Sequence, residues 1–102
     1  PRFQRRGDHD LDVDLPITPS QAALGDTVTI ETPRGSAQIR VPAGSSSGRR
    51  LRLRGRGLPR RGGENGDLHA IVKIVVPKTL SDRERKLYEQ LADSSSPEAK
   101  EA

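Results

Sequence analysis

The 102-residue chain contains no cysteine, which excludes disulfides and thiolate metal sites. Only two histidines are present, His9 and His69, too few and too far apart in sequence to suggest a zinc site; no cofactor is expected. Aromatic residues are nearly missing as well. Phe3 and Tyr88 are the only two, so a core must be built from aliphatic side chains. No apolar run approaches the roughly 20 residues that cross a bilayer, and no secretory leader pattern opens the chain. A soluble, cytoplasmic protein with no membrane partner is therefore expected. Apolar residues make up 30% and charged residues 31%, a poor composition for a core, which implies a thin domain helped by a partner surface. The length suits one small domain with no room for a second core. The first residue is Pro1 rather than Met, as in a processed product or a piece of something longer.

The formal charge of +4 is not spread evenly. Seven arginines, Arg49, Arg50, Arg52, Arg54, Arg56, Arg60 and Arg61, stand in one stretch that has no acidic residue. Without them, 11 of the 18 basic residues face 14 acidic ones, a balance of −3. The basicity is local.

Period-two alternation dominates what is present. In "DLDVDLPI" (residues 10 to 17), Leu11, Val13, Leu15 and Ile17 share one face and the aspartates the other, as in a half-buried strand. A short helix follows over "TPSQAAL", with Thr18 and Gln21 as a capping box, Pro19 at the first turn and Gly25 as the stop. "TVTIET", "PRG" and "SAQIRV" read as strand, turn and strand. After the loop "PAGSSSG", Leu51 and Leu53 alternate with Arg50, Arg52 and Arg54 in a strand with one wet face, ended by Gly55, Gly57 and Pro59. "DLHAIVKIVVP" is the most apolar run, and its isoleucine and valine content marks it as the central strand. A second capping box, Ser81 with Glu84, opens an amphipathic helix with Leu87, Tyr88 and Leu91 on one stripe and Leu80 just before it. The final "SSSPEAKEA" has the composition of a disordered tail. The fold class is mainly β, with one short internal helix and a C-terminal amphipathic helix.

Several motifs dissolve on inspection. "GRGLPR" lacks a glycine-rich phosphate loop's third glycine, since Arg60 stands in its place and no helix follows. A calcium loop beginning at Asp8 would need glycine and glutamate where Val13 and Pro19 stand, so Asp8, Asp10, Asp12 and Asp14 are read as the wet face of a strand. No nucleophile and base fall into a catalytic pattern, and no enzyme is expected. Three surfaces are left. The arginine stretch is either a solvated strand face and turn or a phosphate-tracking surface for nucleic acid, although no aromatics are interleaved to stack on bases. The stripe of Leu80, Leu87, Tyr88 and Leu91 packs either on the chain's own sheet or on a second copy. An open strand edge can add an extended peptide as a further strand.

The order of "FQRRGDHDLDVDLPITPSQAALGDTVTIETPRG", "VPAGSSSGRRLRLRGRGLP" and "GDLHAIVKIVVPKTLSDRERKLYEQLA" resembles the second C-terminal β domain of DnaJ-type co-chaperones with its dimerisation helix, over residues 3 to 92. Among them it looks closest to members without a zinc domain, including the curved-DNA-binding protein type. The resemblance implies a small β-sandwich over residues 1–79, a dimerisation helix over 80–92 and a disordered tail over 93–102. It implies a non-catalytic module that helps hold unfolded client polypeptides for a DnaK-type chaperone, and a homodimer joined through Leu80, Leu87, Tyr88 and Leu91. It further implies a client-contacting strip on Val13, Leu15, Val28 and Ile30, although the family's better-defined client groove lies in the preceding β domain. The curved-DNA-binding relatives add DNA as a further partner for the arginine surface. Neither the preceding β domain nor a J domain with its His-Pro-Asp signature is found in these 102 residues, so ATPase stimulation is not expected of this chain by itself.

Overall fold

A computed structural model describes residues 3–7, 9–33 and 35–94. Six strands and two helices follow in the order β1 (Phe3–Arg6), β2 (Asp10–Ile17), α1 (Pro19–Leu24), β3 (Asp26–Thr32), β4 (Gly35–Val41), β5 (Arg50–Leu53), β6 (Leu68–Ile74) and α2 (Asp82–Ser94). The larger sheet has the order β1-β2-β6-β5, and β3 and β4 form a separate hairpin. Its central pair is parallel, running from Leu11 opposite Leu68 to Ile17 opposite Ile74, while the outer pairs β1–β2 and β5–β6 are antiparallel.

The alternation expected of β2 is present: Leu11, Val13, Leu15 and Ile17 point inward. Beside them lie Leu68, Ala70 and Val72 of β6, fully buried, and Ile30, Ile39 and Val41 of the hairpin close the same core from the second sheet. At about 1.5–3 kcal/mol for each large aliphatic side chain removed from water, this one cluster supplies most of the drive to fold. The two layers give a small sandwich, mainly β as expected.

Both capping boxes form. The Gln21 amide N–H donates to Thr18 Oγ1 (3.2 Å) and the Thr18 amide to Gln21 Oε1 (2.9 Å); the same exchange joins Ser81 and Glu84 at 3.1 and 2.9 Å. At the far end of α1, Gly25 (φ 84°) donates to the Gln21 carbonyl. The loop after β4 satisfies two more of its last carbonyls, with Gly44 N–H donating to Ala23 and Ser45 N–H to Ala22. A Cβ on Gly25 would stand 2.9 Å from the Ala43 nitrogen, so this contact needs a glycine.

Three features depart from the sequence reading. β1 is a strand that the reading missed; Phe3 is its only apolar residue, too little for a visible period. β6 ends at Ile74, because Val75 N–H caps the ladder on the Ile17 carbonyl and β2 offers no further partner. Val75 and Val76 are consequently exposed at 47% and 65%. The C-terminal helix runs two residues beyond the expected 92, to Ser94; the rest of the expected disordered tail, 95–102, lies outside the described residues.

Candidate interaction surfaces

Gly48, with φ of 93°, sits with Arg49 opposite a single residue of β6: Gly48 N–H donates to the Val72 carbonyl, and Val72 N–H to the Arg49 carbonyl. This is a glycine β-bulge, and it sets the parity of β5. Leu51 and Leu53 then exchange backbone bonds with Ala70 and Leu68, while Arg50 and Arg52 turn their backbone groups to the open edge of the sheet. Leu51 and Leu53 pack against the core from this position.

The arginine side chains divide into two groups. Arg50 pairs with Asp12 at 2.8 Å, and Arg52 reaches Asp67 Oδ2 with both Nε (2.7 Å) and a terminal nitrogen (2.6 Å). Asp67 also accepts the Gly55 amide at 2.9 Å on its other oxygen. That backbone hydrogen bond, followed by the Arg52 guanidinium, holds the Asp67 carboxyl below its ordinary range against the opposing effect of burial. Two of the seven expected phosphate-binding arginines are thus occupied by the protein's own carboxylates. Arg49, Arg54, Arg60 and Arg61 form no ion pair among the described residues. Across β6, His69 lies between Asp12 and Arg52, with Nδ1 3.9 Å from Asp12 Oδ1 and without a hydrogen-bond partner among the described residues.

The loop that carries Arg54 to Arg61 is ordered by close backbone approach. Leu58 N–H donates to the His9 carbonyl, Gly57 N–H to the Gly66 carbonyl and Gly66 N–H to the Leu58 carbonyl. A Cβ on Gly57 would lie 2.6 Å from the carbonyl oxygens of both Asp67 and His9, and one on Gly66 would overlap the His9 carbonyl. These glycines read in the sequence only as strand-ending and turn residues; nothing in the pattern reveals that they touch residue 9.

The second surface is built by the two helices. Pro19, Ala23 and Leu24 of α1 face Leu87, Tyr88 and Leu91 of α2 across a cleft of about 400 Å³. α2 has no buried residue. Leu24, Leu87 and Leu91 are 77%, 50% and 59% exposed, whereas Leu80 and Tyr88 are half-buried. Asp82 and Glu84 in the first turn favour the positive end of the helix dipole, so α2 is stabilised locally without a covered face.

The residues expected to contact clients face the core. Val13, Leu15 and Ile30 are core residues with at most 6% exposure, and Val28 packs against the same cluster. Their alternation marks the inward face of the sandwich, and a client cannot reach those three side chains while the sandwich is closed. Among the described residues no group of three or more histidine or carboxylate side chains is placed to hold a metal ion, and no helix is long and apolar enough to cross a membrane.

The two-layer β domain with its trailing amphipathic helix thus presents two candidate interaction surfaces. The family of the DnaJ C terminal domain matches residues 1–77. The chain is 51% identical to "Chaperone protein DnaJ" of Deinococcus proteolyticus over 92 residues, which is 90% of this chain and 29% of that protein. The protein of the same name from Acholeplasma laidlawii is 48% identical over 99 residues, covering 96% of this chain and 27% of the relative. That of Listeria welshimeri is 40% identical over 94 residues, covering 91% and 25%. The chain belongs to the DnaJ C-terminal domain family, and it spans little more than a quarter of the length of these relatives.

Proposed function

We propose that this chain is the dimerising, client-supporting module of a DnaJ-type co-chaperone, acting without catalysis, and that a longer protein containing it passes unfolded polypeptides to a DnaK-type chaperone. One observation carries the reading: Leu87 and Leu91 project from a helix with no buried residue and face a still more exposed Leu24. Covering this apolar patch with the same patch of a second copy gives a closed, two-fold contact. Leu80 and Tyr88 then form the margin of the interface. Two copies double the weak client sites and raise their joint affinity by effective concentration.

Sedimentation of the chain over a range of concentrations tests this. A mass approaching twice the monomer is expected, with Leu87→Asp and Leu91→Asp together returning it to the monomer. An unchanged mass in that double variant contradicts the assignment. Client contact, in this reading, falls on the exposed Val75 and Val76 rather than on the buried strip. Titration of nitrogen-15-labelled chain with an unfolded apolar peptide is expected to shift resonances at 75–76. Shifts gathered at Val13 and Leu15 instead would return the client site to β2.

A further inference from the structure

We infer that the open edge of β5 is a docking strand for an extended, acidic segment of another polypeptide. This surface is separate from the α1–α2 cleft, and the inference holds whether or not two copies pair there. A groove of about 680 Å³ runs between β4 and β5, the outer strands of the two sheets. Gln38 and Arg40 line one wall, and Arg49, Arg52, Arg54 and Arg56 line the other; no acidic side chain contributes.

Three features favour a polypeptide over a nucleic acid. The bulge at Gly48 and Arg49 leaves the backbone N–H and C=O of Arg50 and Arg52 facing the open edge, where a strand can satisfy them and a sugar-phosphate chain cannot match their spacing. Arg50 and Arg52 already hold carboxylates, Asp12 and Asp67, which reduces the charge left for phosphates but fixes β5 rigidly as a template. The lining has no aromatic ring on which a base could stack, while the half-buried Leu51 and Leu53 form a small apolar floor. A docked strand would place alternate side chains on that floor and alternate carboxylates toward Arg49 and Arg54, neither of which has an ion pair among the described residues.

The test uses the whole chain, labelled with nitrogen-15, and three probes: a short peptide alternating glutamate and valine, the same peptide with alternate backbone nitrogens methylated, and a single-stranded oligonucleotide of equal charge. The unmodified peptide is expected to shift resonances of residues 50–54 and 36–40, and backbone methylation is expected to abolish those shifts. Arg49→Ser with Arg54→Ser should weaken peptide binding about fivefold, the size expected for losing two exposed ion pairs. Both arginines are exposed and have no ion pair among the described residues, and the variant's own spectrum checks that the fold is kept. Three results would overturn the proposal: no shifts along β5, equal binding of the methylated peptide, or tighter binding of the oligonucleotide than of the peptide. The last would make the groove a nucleic-acid surface.

Discussion

The β2–β6 pair and α2 carry the same kind of sequence signal, an apolar stripe at the period of its element, and meet opposite fates. On β2 and β6, Leu11, Val13, Leu15, Ile17, Leu68, Ala70 and Val72 are at most 6% exposed, covered from the other sheet by Ile30, Ile39 and Val41. On α2, Leu87 and Leu91 stay at least half exposed although the helix is well capped at its start. A stripe shows which face avoids water, but what covers it depends on the rest of the fold. Here the sandwich is complete without α2, and the helix stripe is left for another surface.

The contrast can be broken most severely at Leu68. Leu68→Ala should cost about 2–5 kcal/mol in urea unfolding, as for a buried leucine with no room to relax; a cost under 1 kcal/mol would mean that the parallel pair is not the centre of stability. Gly66→Ala is expected to cost about 1–3 kcal/mol through overlap with His9, whereas Gly63→Ala, with open space around it, should stay within about 0.5 kcal/mol. Equal effects at the two glycines would contradict the close approach of this loop to residue 9.

Asp67→Asn sharpens the electrostatic side of the fold. Its carboxyl is held below the ordinary range when folded, so the native state favours the ionised form. The resulting stability is present above the unfolded value of about 3.9 and is lost as pH falls through the lower folded value. The variant should therefore be less stable than the parent near neutral pH by about 1 kcal/mol, with the gap narrowing in acid. A gap that is constant with pH would show that the Gly55 and Arg52 contacts do not act through charge. The smallest effect is expected on α2, where Leu87→Ala should change unfolding of the dilute monomer by about 0.5 kcal/mol or less, because the side chain covers little in a single copy.

Much of this fold was legible in the sequence. Alternation in "DLDVDLPI" and "SAQIRV" identified the inward faces, and the pairs Thr18–Gln21 and Ser81–Glu84 marked both helix starts. Less was visible of how the elements meet. Nothing in a period-two pattern states that β2 and β6 lie parallel, since the pattern is the same for either direction. The pairing of Arg50 with Asp12 joins residues 38 apart in sequence, so the local charge of the arginine stretch overstated what is free to bind phosphate. The same limit explains why the expected client strip is buried: alternation marked Val13 and Leu15 on one strand and Ile30 on another, and that these faces close on each other became evident only in three dimensions.

The central claim is that the α2 stripe is completed by a second copy, and it is tested most directly by a mixed sample of isotope-labelled and unlabelled chains. Filtered NOE spectra should show contacts between methyl groups of Leu87 or Leu91 in one copy and the apolar cleft around Leu24 in the other. Contacts confined to a single copy, with a monomeric mass at every concentration, would contradict it and leave α2 as an uncovered helix on a monomeric sandwich.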